Sequence, residues 1–453
     1  MHNTRMGFFS SLFKIALPII LQNFLGSFVN MLDTIMVGQL GAVDIAAVGL
    51  ANQLFFVMQV MMFGVVSGGS IFITQYWGKK DLEGVHRTVG ITLAFSTIVS
   101  LIFTFAALVL PEACLRIYSS DIEVISRGAV YLRYVAPSYI FTGIAFAFAN
   151  GCRSTEHVRL PMVVTAISVV MNGLFNYFLI FGLKVGSLVV FAPHGIIGAA
   201  VATDIARVVD CVLIIFISYA RKYEFTTTFA GYFHRQQGFF ARFLKIVVPV
   251  LINESLWGIG ASLQSSIFGH AGTDVVAAFN ITNTTSNLIW TFFMGCGNAT
   301  AIILGKMIGE HKFDEARSLA KKFTAFLGVS GAILGLLLIP MAFIIPHFYN
   351  VEPHVIRIAQ VFLYLTVIFY PLNATNMFFA VGLCRSGGDT VYSLIMDTGF
   401  MWVISIPLGF AAVLFFHLPF WAVFLCVHTE DILKWILGFL RLQSGKWLHD
   451  VTE

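Results

Sequence analysis

The chain has 453 residues, 58% of them hydrophobic and only 11% charged, with a mean hydropathy of +0.85 and a net charge of +4. A soluble globular protein carries roughly 25% charged residues, so most of this surface has to face lipid. The small positive balance argues against a nucleic-acid partner, and six scattered cysteines without metal-ligand spacing read as apolar packers rather than disulfides or ligands.

About 20 apolar residues suffice to cross a bilayer as helix. Twelve such stretches are predicted, near 12–37, 47–72, 88–110, 129–150, 160–182, 195–218, 243–268, 275–303, 322–346, 356–381, 390–416 and 418–440. They lack the period-two polarity of an outer-membrane barrel. The expected fold class is therefore an all-α integral membrane protein with twelve transmembrane helices in two pseudo-symmetric six-helix lobes.

The first stretch is read as helix and not as a signal peptide. Lys14 sits inside it, and it continues through Pro18 to Val37 without a small-residue cleavage pattern. It carries Asp33. A charge at mid-bilayer costs at least about 2.5–3.5 kcal/mol, so such a group normally faces a cavity or a partner. The alternative is an interfacial aspartate near the helix end. The fifth stretch places Asn172 and Asn176 four apart, on one helical face. Paired amides can offer oxygens to a hard cation, hydrogen-bond a carboxylate, or simply join helices. The sixth carries Thr203 and Asp204, then Arg207 and Asp210 at three-residue steps, read as an intrahelical charge ladder.

A polar linker at 221–241 divides an N-terminal lobe, 1–220, from a C-terminal lobe, 242–453. The second lobe repeats the first: residues 17–78 recur at 248–309, a shift of 231 positions. Pro18 falls on Pro249, Gly38 and Gly41 on Gly269 and Gly272, Asn52 on Asn283, and Gly78 on Gly309. A Cys-Arg-Ser tripeptide recurs at 152–154 and 384–386. Gly78 and Gly309 are expected to end their helices, each followed by a short interfacial one. Glu254 has no acidic counterpart in the first lobe, where Asn23 stands. Asp397 opens the eleventh stretch, and Glu430, Asp431 and Lys434 lie in the twelfth, with Glu430 and Lys434 read as part of a structural charge network. Prolines 18, 137, 249, 371 and 407 interrupt helical hydrogen bonding at places that permit bending.

Each half has an even number of spans, so the halves share one orientation, as in parallel-repeat transporters with a substrate site between their lobes. Of 27 Lys and Arg, 20 fall at the termini or after even-numbered spans, which predicts cytoplasmic termini. No Gly-x-Ser-x-Gly, His-Glu-x-x-His or Walker-type loop is present, so an enzyme is not expected and transport would draw on an ion gradient.

The chain resembles the multidrug and toxic compound extrusion (MATE) family, in its prokaryotic DinF/NorM-like branch. The resemblance rests on 32–38, 41–47, 172–182, 198–203 and 384–390. It implies an N-lobe cation site at Asp33, Asn172, Asn176 and Thr203, where Na⁺ finds enough oxygens or a proton finds a lone carboxylate. It also implies a role for Glu254 in second-lobe coupling or substrate binding, for which Asp397, inside the same lobe, is a further candidate. The expected activity is Na⁺- or H⁺-coupled export of amphipathic, cationic organic compounds across the cytoplasmic membrane, by a monomer without a resident cofactor. The alternative is a flippase of a lipid-linked precursor, for which Arg207, Arg133 or Lys434 would have to hold phosphate.

Overall fold

In the computed structural model, which describes residues 2–185, 188–234, 236–348 and 351–453, each of the twelve expected stretches coincides with a helix. They are α1 His2–Gly38, α2 Ala42–Lys79, α3 Leu82–Val109, α4 Ile122–Val135 with Pro137–Ser154, α5 Arg159–Phe181 and α6 Gly195–Ala220. The second half follows as α7 Phe239–Ala271, α8 Thr273–Gly309, α9 Phe313–Ile344, α10 Pro353–Cys384, α11 Thr390–Leu414 and α12 Phe420–Val427 with Thr429–Ser444. A hairpin of two short strands, β1 Leu183–Val185 and β2 Leu188–Phe191, joins α5 to α6. Among the described residues nine helices are long and apolar enough to span a membrane by themselves, and α4, bent by 51°, makes a tenth. The other two, α6 and α12, each carry three charged residues close together: Asp204, Arg207 and Asp210 in α6, and Glu430, Asp431 and Lys434 in α12.

The chain forms two compact units. One comprises residues 21–73 and 81–237; the other comprises 1–20, 74–80 and 238–453. Helices α1 and α2 each contribute to both, and α1 changes unit after Ile20, two residues beyond Pro18.

The duplication extends to the backbone. Gly41 and Gly272, 231 positions apart, start the second helix of each half with φ of 139° and 135°. Lys80 and His311, again 231 apart, turn the chain after it with φ of 60° and 57°. These left-handed residues make the turns expected of Gly78 and Gly309. Gly309 is the last residue of α8 and Gly78 the last but one of α2, so both stand at helix ends as expected, but α3 and α9 start directly after the turns without an interfacial helix between. Gly78 and Gly309 serve a packing role as well. A Cβ at Gly78 would strike the Lys306 carbonyl, and one at Gly309 the Gln75 carbonyl. Residues 75 and 306 are themselves one repeat apart, so α2 and α8 cross at their ends backbone to backbone.

In the first unit α3 shows how a membrane inverts the usual pattern. Thr88, Thr92, Ser96, Ser100 and Thr104 recur every four residues and are all buried, while Ile98, Leu101, Ile102 and Phe105 are exposed. Four of these five inward hydroxyls donate to carbonyls, as in Thr92 to Thr88 (2.8 Å) and Ser100 to Ser96 (2.7 Å). Being small, they admit the neighbouring chain closely, with Gly69 against Thr92 and Gly143 against Ser100. The second unit is built more on aromatic packing: Phe268 stacks on Phe279 at 4.0 Å and Phe362 on Phe424 at 5.2 Å. Much of the abundant phenylalanine is core.

After Gly445 ends α12 in the left-handed region, the last residues of the second unit lie against the end of α2. Trp447 is fully buried. The Gln75 amide donates to the Ser386 and His449 carbonyls at 2.8 and 3.0 Å and accepts from the Val451 N–H at 2.8 Å. Lys79 pairs with Asp450 at 2.9 Å. Burial pushes the Asp450 carboxyl up, but bonds from Thr452 and Lys79 outweigh it and hold the group below the ordinary 3.8. A depressed acid stabilises its folded contact above its unfolded pKa and loses that contribution as pH falls through the folded value. Hydrogen exchange at residues 446–453 is accordingly expected to stay slow at neutral pH and to accelerate below about pH 4. The increase should be largely absent in Asp450→Asn, whose exchange should be faster at pH 7.

Candidate cation site and buried charge cluster

Asp33, on the last two turns of α1, accepts a hydrogen bond from the Nδ2 of Asn176 on α5. The same Nδ2 donates to Oδ1 of Asn172, one turn earlier, at 3.0 Å. The helical spacing of the two asparagines thus has a specific use: one amide bridges a carboxylate and a second amide. Asn176 is fully buried, and its Oδ1 meets no hydrogen-bond donor. Among the described residues no Lys, Arg or His nitrogen lies within ion-pair distance of Asp33.

Asp33, Asn172 and Thr203 face a common cavity of about 60 Å³, together with Tyr131, Tyr139 and Arg207. One water needs about 10–15 Å³ of such space, so the cavity suits a few waters or one small ion. Pockets for drug-sized ligands run to roughly 300–1,000 Å³. Four expected site residues are therefore brought together, three on the cavity wall and Asn176 directly behind. Asp33, Asn172 and Thr203 carry oxygens of the kind a hard monovalent cation takes.

Sequence reasoning did not find the α4 side of this cavity, where Tyr131, Ser138 and Tyr139 lie, or Asn52 and Ser168. Asn52 was visible as a repeated position, while the aromatic pair carried no distinguishing signal among so many rings.

The ladder expected in α6 is not formed: among the described residues Arg207 pairs with neither Asp204 nor Asp210. Pro137 bends α4, and a helix restarting there leaves its first N–H groups without intrahelical partners. Asp204 accepts one of them, from Ser138 N at 3.2 Å. Arg207 instead lies over the Phe55 ring at 5.6 Å, and Asp210 faces the cavity. Partners on other helices thus outcompete those on the same one. Asp204 acts as a cap, so Asp204→Ala is expected to lower stability by about 0.5–2 kcal/mol. Asp204→Asn, which keeps an acceptor, should lose much less. Thermal unfolding in detergent measures the difference.

The second unit holds the remaining expected residues in a buried cluster. Glu254 on α7 is bonded to Arg385, at the end of α10, at 2.5 Å. Asp397 lies in a π-helical turn of α11, Ile395–Gly399, a wider turn that recurs at functional sites. It accepts from Asn253 Nδ2 at 3.0 Å on Oδ2, and Lys434 of α12 stands 3.6 Å from its Oδ1. Lys434 is also 3.2 Å from Glu430 Oε2, while Glu430 Oε1 accepts from Gln264 Nε2 at 2.9 Å. Asp431 is held by His428 Nδ1 at 2.7 Å. Arg385 had stood out only as part of the repeated tripeptide; nothing local marks it as the partner of a residue 131 positions away.

An internally duplicated, helical, multi-span body with a buried acid on an internal cavity defines the class of polytopic membrane transporters. The MatE family pattern matches the chain twice, over residues 18–178 and 249–411, and the chain belongs to that family. It is 24% identical to the uncharacterized transporter YisQ of Bacillus subtilis over 97% of this chain and 95% of that protein. It is 25% identical to the probable multidrug resistance protein NorM of Thermotoga maritima, over 96% and 92%. Among solved structures it shares its fold with a MATE in the bent conformation (TM-score 0.86, 18% identity, 96% of each chain). A mutant form of the Vibrio cholerae MATE transporter VcmN is equally similar in fold (TM-score 0.86, 17% identity, 97% of each chain).

Proposed function

We propose that the protein is a cation-coupled antiporter that exports amphipathic, cationic organic compounds across the cytoplasmic membrane, with Asp33 as the coupling group. The observation that carries the reading is the Asp33 carboxylate: it faces an ion-sized internal cavity and is steadied by a neutral amide rather than neutralised by a fixed cation. A carboxylate so placed can exchange its charge for a bound cation, Na⁺ or H⁺, and back. Removing that charge biases a two-state helical body toward the arrangement in which the site is neutral, as differential binding requires. The cargo enters through a different opening of the body, since the cavity at Asp33 has room only for the ion. Relatives named for multidrug resistance support organic cargo, and exposed aromatic faces can hold organic cations by cation–π attraction.

The basic bias of the loops after even-numbered helices supports cytoplasmic termini. The flippase alternative needs cations free to hold phosphate. Of the three cations expected for it, Lys434 faces carboxylates and Arg207 lies over a ring, which leaves Arg133 alone.

The test is efflux of an ethidium-like dye from proteoliposomes, first under an imposed Na⁺ gradient and then under a pH gradient. Efflux driven by one of the two is expected, and efflux indifferent to both refutes the coupling. Binding of a polyprenyl diphosphate in preference to the dye refutes the cargo.

A further inference from the structure

The two units hold carboxylates in the same way but complete them differently. In the first, one oxygen of Asp33 takes an amide from Asn176, and among the described residues no cation lies within ion-pair distance of it. In the second, Asp397 and Glu430 each take an amide on one oxygen, from Asn253 and Gln264 of α7, and both turn their other oxygen to the Lys434 ammonium. Lys434 is buried, 7% exposed in its side chain, and bridges α11 to α12. An ammonium carries the charge of a monovalent cation and needs several acceptor oxygens when desolvated. The geometry is that of a cation seated between two amide-steadied acids, except that this cation is attached to the chain.

We propose that Lys434 is a built-in counter-ion, whose ammonium fills a site between Asp397 and Glu430 that would otherwise take up a monovalent cation. The cation-exchanging function is thereby confined to the first unit. The proposal rests on the reading of Asp33 as the coupling group only for this last consequence; the filled site stands on the contacts of Lys434 alone.

The experiment counts sodium bound to the purified full-length protein, using ²²Na⁺ at saturation. Lys434→Met is expected to bind one Na⁺ more than wild type, whatever the wild-type count. Lys434→Met with Glu430→Gln should return to that count. In the wild-type background, Glu430→Gln should leave the count unchanged, because Lys434 still fills the site against Asp397. A folded Lys434→Met that gains no Na⁺ overturns the proposal, as does a wild-type count that falls on Glu430→Gln. If Lys434→Met is recovered only unfolded, the arm moves to Lys434→Ala purified with and without propylammonium, which matches most of the lost side chain. Recovery of folded protein only with the amine supports the filled site, and equal failure in both refutes it. Asp33→Asn provides the separate control: it should remove any wild-type Na⁺ binding without altering the gain from Lys434→Met, so failure of the coupling reading and failure of this one give different results.

Discussion

Asp33→Asn is expected to abolish gradient-driven efflux, reducing it to the leak of protein-free vesicles, while leaving the folded protein intact. The substitution retains the side chain's shape and a carbonyl oxygen that can accept from Asn176, so the contact between α1 and α5 survives in neutral form. What it removes is the charge, and with it any difference between ion-bound and ion-free states. A ligand that binds two states equally shifts nothing, however tightly it binds. Dye binding to the detergent-solubilised variant should persist, since cargo is not proposed to sit in the small cavity at Asp33. Efflux in the variant at even a substantial fraction of the wild-type rate would remove Asp33 from the mechanism. Asn176→Ala separates steadying from charge: the carboxylate remains, its amide partner is lost, and efflux should fall only in part.

The sequence carried this half of the site for a definite physical reason. Lipid leaves few places for a charge, so an acid within an apolar helix identifies itself, and two asparagines at helical spacing name the face that meets it. Helix positions were legible for the same reason: each span has to satisfy its own backbone and be apolar over its length. The repeat was legible as a shift of 231 residues, and it recurs in the φ angles of Gly41 and Gly272. Illegible were the contacts decided between helices. Asp204 looked like a partner of Arg207 because they lie three residues apart, but the bend at Pro137 presents Ser138 N–H to it from α4. Gly78 and Gly309 were legible as helix ends, because glycine commonly ends helices, but not their second use in the crossing of α2 on α8. The four-residue hydroxyl register of α3 could have been read in advance, had polar residues been sought on an inner face.

Arg385 is where the second unit should prove most sensitive. Arg385→Met leaves Glu254 buried without its ion-pair partner, and Asp397 is close enough to repel it. Breaking a buried pair from one side typically costs about 3–5 kcal/mol, whereas replacing both members by apolar groups is often neutral. Arg385→Met and Glu254→Leu should therefore each be recovered in low yield with a markedly lower unfolding temperature. The double variant should regain most of the loss, a favourable coupling that thermal unfolding of all four proteins measures as a double-mutant cycle. The same set decides what Glu254 does. A coupling acid cannot be replaced by leucine and still move a cation, so a transport role predicts a stable but inactive double variant. A purely structural pair predicts restored stability and restored dye efflux together. The 2.5 Å contact, with Arg385 buried and Glu254 13% exposed in its side chain, favours the second outcome, because an acid held by a guanidinium has little freedom to exchange that partner for an ion during each cycle.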